Sequence, residues 1–433
     1  MRENRIQISY HERGGFFNRA RPFCLFSFEI RKGVLYYENN RCTAERKIGM
    51  TADCLKELVR QKALELLPRL EKINEEIFAH PELGLKEEYA ARFLTEEAKS
   101  FGFTVEKPYA GFDTAFRAVC GEKGPTVAFL AEYDALPGYG PERLPAHACG
   151  HSWIAAASLG AAAVLASLRE HFLGTVVLYG TPAEETVGAK ADLAREGCFR
   201  GIDAAFQMHL SGERTALLPC ALALDPIEIT FFGKAAHAAS APHEGINALD
   251  ACNLTFCGVN ALRQHVRQDV RMHGVITEGG AAPNIVPDRC AMRWYLRALD
   301  REYLDTVREK FLNCARGAAL MTGAKMEWRK FENSFDELKN DEGLLQKMEK
   351  NLRTLGENDL DLSVPPPFGS TDLGNVSHVC PTMYVSLWAG NNDGADIHSE
   401  RFLRHVTGDR AASRLLLAVQ AMAMTAADVL CGE

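Results

Sequence analysis

Nowhere is the chain apolar for the length that a membrane-spanning helix requires. The Ala-rich segment Ile154 to Leu168 is too short and leads straight into charged residues. Residues 1–49 carry neither an apolar signal core nor a clear amphipathic period. An excess of positive charge is also missing: the formal net charge is -8, which argues against a nucleic-acid backbone as the main partner. No internal repeat appears, nor any low-complexity tract beyond the short run Pro365 to Pro367. Ser370 lacks the Gly-x-Ser-x-Gly frame of a serine nucleophile, and no His is placed to suggest a triad. With membrane, nucleic acid and serine chemistry set aside, the expectation is a soluble, cytoplasmic protein. Cysteine is plentiful, at 13, but its irregular spacing in a long chain fits a reducing cytosol better than a disulfide framework.

With 433 residues, 47% of them hydrophobic and 24% charged, the chain can bury large cores and is expected to form two domains. Residues 1–49 stand apart, rich in Arg and aromatics with Gly14-Gly15 and Asn39-Asn40 as breakers. They read as a weakly ordered basic extension, or as the product of a start called upstream of the natural one at Met50. From Met50 the apolar residues follow helical spacing. Helix and strand then alternate as an α/β sheet requires: helix over 87–102, strand over 126–131, helix over 151–169, the strand TVVLYG over 175–180, helix over 189–196 and strand over 204–208. After Asp225-Pro226 the pattern becomes strand 227–232, helix 246–266, strands 271–277 and 290–298, helix 302–321 and strand 325–331. That βαββαβ order is the ferredoxin-like split βαβ arrangement of a separate small domain. The α/β pattern resumes after Asp336, with a strand over 382–388 and a long helix over 401–430. The chain is therefore read as an α/β domain, a mixed sheet flanked by helices, formed by residues 50–225 and 337–433 and interrupted by an insertion at 226–336.

Glu184 and Glu185 follow the apolar run Thr175 to Gly180 and come shortly after His147-Ala148-Cys149-Gly150-His151. Active sites of α/β sheets sit where such strands end. Two adjacent carboxylates there are costly to hold unless one binds a cation and the other handles protons. Cys149, His151, His209 and His398 supply the other soft and borderline ligands that a zinc-like cation takes. Gly150 permits a tight backbone between the first two. The joint pattern points to a hydrolytic metal site.

The blocks IFAHPELGLKEEYAARFL, AEYDALPG, HACGH, GTPAEE, MH after a strand, GKAAHAASAPH, PNIVPD, GSTDLGNVS and IHSE occur in the order found in the dimetal amidohydrolases and peptidases of the aminoacylase and glutamate-carboxypeptidase family, metallopeptidase clan MH. The chain most resembles the branch that contains p-aminobenzoyl-glutamate hydrolase, indole-acetyl-amino-acid hydrolase and the Xaa-Arg-dipeptidase-like proteins. The resemblance runs from about Leu55 to Arg401. It implies that Cys149, His151, Glu185, His209 and His398 hold two divalent metal ions, zinc or manganese, and that Glu184 is the general base. It implies further that Asp134 orients a ligand from behind, and that the 226–336 insertion is a dimerisation and lid domain. From that domain His237 would reach an active site across the interface of a homodimer and stabilise the oxyanion. Asn284 and Arg297 match positions used on the substrate amide and carboxylate, a task that suits the planar fork of Arg. Ser152 departs from the family pattern, which has Asp or Asn after Cys-Gly-His. The implied activity is hydrolysis of the amide of an N-acyl or N-aroyl amino acid, or of a dipeptide, with a strict dipeptidase for basic C-terminal residues as the alternative and a catalytically dead binding protein as a third reading.

Overall fold

The computed structural model describes residues 27–31, 34–38, 50–363 and 369–432. Gly14-Gly15, Asn39-Asn40 and the Pro365 to Pro367 run lie outside the described residues, as does most of the 1–49 extension. Within that extension β1 (Ser27–Arg31) and β2 (Val34–Glu38) pair as an antiparallel hairpin, which sequence alone did not predict.

From Met50 the chain forms α1 (Ala52–Ala79), α2 (Glu88–Ser100), β3 (Thr104–Glu106), β4 (Phe116–Cys120), β5 (Thr126–Ala131), α3 (His151–Ser167), β6 (Thr175–Gly180), α4 (Ala189–Arg195), β7 (Ala204–Ser211) and β8 (Thr215–Ala216). The inserted part follows as β9 (Ala223–Phe232), α5 (Ala248–Leu262), β10 (Arg271–Glu278), β11 (Arg289–Ala298), α6 (Arg301–Thr322) and β12 (Lys325–Lys330). The last stretch is α7 (Glu342–Thr354), β13 (Leu360–Asp361), α8 (Leu373–Ser377), β14 (Thr382–Trp388) and α9 (Asp409–Leu430).

The larger sheet has the order β13-β8-β14-β7-β5-β6-β4-β3. Its centre, β14, β7, β5 and β6, is parallel, while at one side β4 pairs antiparallel with β6 and β3 pairs antiparallel with β4. Alternate residues of β5 serve opposite faces, as the pleat demands. Val127, Phe129 and Ala131 join the core under α1, α2, α3 and α9, whereas Ala128 and Leu130 join a smaller core with residues of α4 and α8. Burial on both faces is why these strands read as unbroken apolar runs. The Ala-rich α3 is buried on all sides, and a Cβ at Gly160 would lie 2.7 Å from Leu70 and 2.8 Å from Val419. Small side chains there let three helices pack closely.

Three expectations need correction. The helix expected over 401–430 is two pieces, a 3-10 turn at Phe402–His405 and then α9, because Gly408 at φ 85° breaks the path between them. α9 is, against expectation, long and apolar enough to cross a membrane, but 72% of its most apolar stretch is buried inside the fold, as in the core helix of a globular domain. The strand expected over 227–232 starts earlier, since β9 runs from Ala223 through Asp225 and Pro226. Pro226 has no N–H to lose from the ladder, and its carbonyl accepts from Phe331 N at 3.3 Å.

The small sheet is antiparallel in the order β10-β11-β9-β12. Ile227, Ile229, Phe231, Met292, Trp294 and Leu296 bury one of its faces in a separate core with α5 and α6. The opposite face carries Glu228, Arg293, Tyr295 and Arg297. Where the chain crosses into and out of this sheet, the buried Asp225 accepts from Arg301 Nη1 and Arg308 Nη1, both at 2.9 Å, and Arg301 Nε bonds Asp336 at 2.9 Å. Burial works to raise the Asp225 carboxyl, but the Arg301 charge, then Ser334, Lys330 and Arg308, outweigh it and hold it below its usual range.

Candidate metal centre

The four central parallel strands end on one edge of the sheet, and the candidate ligands collect there. Glu132 and Asp134 directly follow β5, and Cys149-Gly150-His151 forms the start of α3, with Gly150 at φ 90° making the turn. Glu184 and Glu185 follow β6, after Ala183 in the left-handed region at φ 61°. His209 lies inside β7 rather than beyond its end, since that strand runs to Ser211. His398 comes from the loop after β14, itself at φ 60° with its N–H on Ala148 O at 2.9 Å.

Cys149 Sγ lies 3.3 Å from His209 Nε2 and 3.2 Å from His398 Nε2. His398 Nε2 is also 3.2 Å from Glu185 Oε1, and His151 Nε2 is 3.8 Å from the same oxygen. Donor atoms of Cys149, His151 and His209 all fall within 4.8 Å of one another, and so do those of Cys149, Glu185 and His398. The two groups share Cys149. His151 Nδ1 is 2.7 Å from Asp134 Oδ1, and His209 Nδ1 is 2.6 Å from Leu210 O. In the neutral rings these contacts would place the protons on Nδ1 and leave each Nε2 lone pair facing the centre. Buried His151 Nε2 has no hydrogen-bond partner. An orphaned donor in a mixed sulfur, nitrogen and oxygen set fits divalent cations.

Asp134 serves two neighbours at once, because its other oxygen accepts from Glu185 N at 2.9 Å. One carboxylate thus fixes the His151 ring and the Glu185 backbone together. Burial works to raise Asp134, but the His151 charge and hydrogen bond outweigh it and keep the carboxyl low. Ser152 donates to Asn74 Oδ1 at 2.9 Å, and Asn74 bonds Val406 O at 2.7 Å. At this departure from the family pattern, the hydroxyl links α3 to α1 and to the segment after His398.

Sequence reasoning missed a charged cluster beside the candidate ligands. Lys190, fully buried at the start of α4, lies 2.5 Å from Glu132 Oε1 and 2.6 Å from Asp372 Oδ1. Oxygen atoms of Glu132, Glu184 and Asp372 all lie within 4.8 Å of one another. Burial works against the charged form of Lys190, but Asp372, Glu132 and Glu184 together hold it firmly protonated. Burial, then the charges of Glu132, Glu185 and Asp372, holds Glu184 well above the ordinary carboxylate range. Asp372 stands before α8 but makes no side-chain cap; its carboxylate is spent on Lys190. Glu132 was legible, standing two positions before Asp134 at a strand end. Lys190 gave no signal, since a lysine in a short helix usually faces solvent.

His237 and Asn284 lie together, and neither contacts this centre among the described residues. Both are exposed, Ala238 N bonds Asn284 O at 3.0 Å, and His237 bridges to Ile285. His237 Nδ1 accepts from Ala239 N and Ser240 N, each at 3.2 Å, which leaves Nε2–H as an outward donor. Arg297 is half-buried rather than solvated: Nη1 donates to Ser370 Oγ at 3.1 Å, and Nε is buried without a partner. Ser370 is two residues before Asp372 in the chain.

Comparison with known proteins identifies the family. The sequence profile of peptidase family M20/M25/M40 matches residues 128–420. The chain is 35% identical over 395 residues to a Xaa-Arg dipeptidase of Mus musculus, covering 86% of this chain and 89% of the relative. It is 34% identical over 275 residues to one chain of the p-aminobenzoyl-glutamate hydrolase of Escherichia coli (strain K12), covering 60% of this chain and 57% of that protein. A Bacillus subtilis protein described as a dinuclear metal-binding peptidase superposes with a TM-score of 0.62 at 22% identity, over 84% of this chain and 99% of its own. The chain belongs to peptidase family M20/M25/M40 and is a hydrolase of amide bonds.

Proposed function

We infer that the chain hydrolyses N-acyl or N-aroyl amino acids, or dipeptides, with Glu184 moving the proton, and that two divalent ions, zinc or manganese, sit on Cys149, His151, Glu185, His209 and His398. One observation carries this reading. Glu184 makes no ion pair among the described residues and stands within 4.8 Å of His151 and Glu185, while the groups Cys149, His151, His209 and Cys149, Glu185, His398 form without it. Divalent cations on these ligands supply Lewis acidity that polarises a carbonyl and acidifies water. Glu184 takes a proton from the attacking water and delivers it to the departing nitrogen. Arg297 holds the substrate carboxylate. Residues 50–225 and 337–433 form the catalytic domain; residues 226–336 form a lid that pairs with a second subunit, whose His237 and Asn284 complete the site.

A second reading, selection of dipeptides with a basic C-terminal residue, draws support from the open face of the small sheet. Tyr295, two positions before Arg297, donates to Glu332 Oε2 at 2.7 Å, and Glu332 makes no ion pair among the described residues. A carboxylate on the same face as the Arg297 fork suits a leaving amino acid with a cationic side chain and repels an acidic one. The mouse relative's name points the same way. A panel of N-acyl amino acids and dipeptides ending in Arg, Lys, Gln or Glu, assayed with zinc- and manganese-loaded protein, separates the readings. A basic terminus is expected to exceed Glu in kcat/KM by about tenfold or more, one charge-assisted contact, and Glu332→Gln to shrink the gap. Equal turnover of Arg and Glu termini would eliminate the second reading while leaving the first intact.

A further inference from the structure

Glu87 stands at the N-cap position of α2 and does not cap it. That work falls to Glu82, whose two oxygens accept from Tyr89 N and Ala90 N, both at 3.0 Å. The Glu87 side chain instead reaches across the molecule, and Ala183 N donates to its Oε1 at 2.7 Å. Glu87 is fully buried, and its second oxygen has no hydrogen-bond partner. A buried carboxylate freed from its local role and aimed at one backbone N–H is costly to keep.

The N–H it holds belongs to a residue in an unfavourable conformation. Ala183 has φ 61°, a left-handed setting disfavoured for any residue with a Cβ. It is buried and comes immediately before Glu184 and Glu185, so its conformation aims both side chains. The loop that carries Glu87 also grips the turn by shape. A Cβ at Gly84 would lie 2.4 Å from Thr186 Oγ1 and 3.0 Å from Ala183 Cβ. Leu83 bridges to Ala135, and Ala135 N bonds Glu82 O at 2.8 Å. The 82–87 loop therefore touches both segments that supply acids to the centre.

We propose that Glu87 is a positioning residue for catalysis: its hydrogen bond to Ala183 N holds the strained turn that aims Glu184 and Glu185. The proposal rests on the reading of Glu184 as the proton carrier and Glu185 as a ligand. Reach, not charge, is the property that matters. Burial, then the Asp134 charge, pushes the Glu87 carboxyl up to about 7, so a neutral carboxamide of equal length is a close substitute near neutral pH.

Three variants test it, each read by steady-state kinetics and by Co2+ titration. Glu87→Asp keeps the acid but falls one methylene short. It is expected to lower kcat about 100-fold, the scale of an ångström's misplacement, with KM within twofold and Co2+ affinity about tenfold weaker. Glu87→Gln keeps the accepting oxygen and is expected to lose less than fivefold in both readouts. Adding Ala183→Gly to Glu87→Asp is expected to restore about tenfold in kcat, because glycine enters the left-handed region without the Cβ penalty. Glu87→Gln matching Glu87→Asp, or no recovery with Ala183→Gly, would overturn the proposal. If the wild type turns over no amide, the reading of Glu184 fails, and the Co2+ affinities of the variants still decide whether Glu87 holds the turn.

Discussion

Lys190 resolves a charge problem that Glu184 and Glu185 create. Four carboxylates, Glu132, Glu184, Glu185 and Asp372, crowd one end of the sheet, and a single buried ammonium touches two of them. Replacing it with Met preserves volume but leaves Glu132 and Asp372 buried without a cation. Breaking a buried pair in this way costs about 3–5 kcal/mol. Urea unfolding of metal-free Lys190→Met is expected to show a loss of that size; a loss below about 1 kcal/mol would mean the cluster does not depend on Lys190. The contrast between Lys190 and the candidate ligands shows what a sequence exposes. Cys149, His151 and Glu185 are chemically marked residues in short, dense motifs. Lys190 and Glu87 matter through contacts with residues distant in sequence, and neither carries a local mark.

At the scale of elements, strand and helix cores were legible and their ends less so. β5, β6 and β14 fall at the expected limits because each is an apolar run bounded by turn residues. β7 extends past the expected Met208 through His209, because a histidine inside a strand interrupts the apolar pattern without interrupting the ladder. β3 and β4, short antiparallel additions at one side of the sheet, were missed; the Phe116–Cys120 stretch includes Arg117 and is too short to stand out. The break between the 3-10 turn and α9 follows from one glycine at positive φ, a conformation that residue type permits but does not require. The convergence of candidate ligands follows from topology: parallel neighbours bring their C-terminal ends to one edge, so residues far apart in sequence become neighbours.

For the whole molecule, the exposed pair His237 and Asn284 poses the main question, since neither contacts the ligand cluster of its own chain among the described residues. On the proposed reading they serve a second subunit. Glu184→Gln and His237→Ala chains, each inactive alone, are then expected to regain activity when mixed and allowed to exchange subunits. Random pairing gives one intact site in each mixed dimer, or about a quarter of wild-type activity. Full activity from a monomer, or no recovery after confirmed exchange, would place His237 outside catalysis. The central claim concerns the division of labour at the sheet edge: five residues for cations and Glu184 for protons. Its most direct test counts metal ions per chain by elemental analysis and measures amide turnover on the same samples of wild type and Glu184→Gln. The account predicts two ions per chain in both, with turnover reduced by about 100-fold or more in the variant. Undiminished turnover in Glu184→Gln, or loss of bound metal from it, would contradict the account.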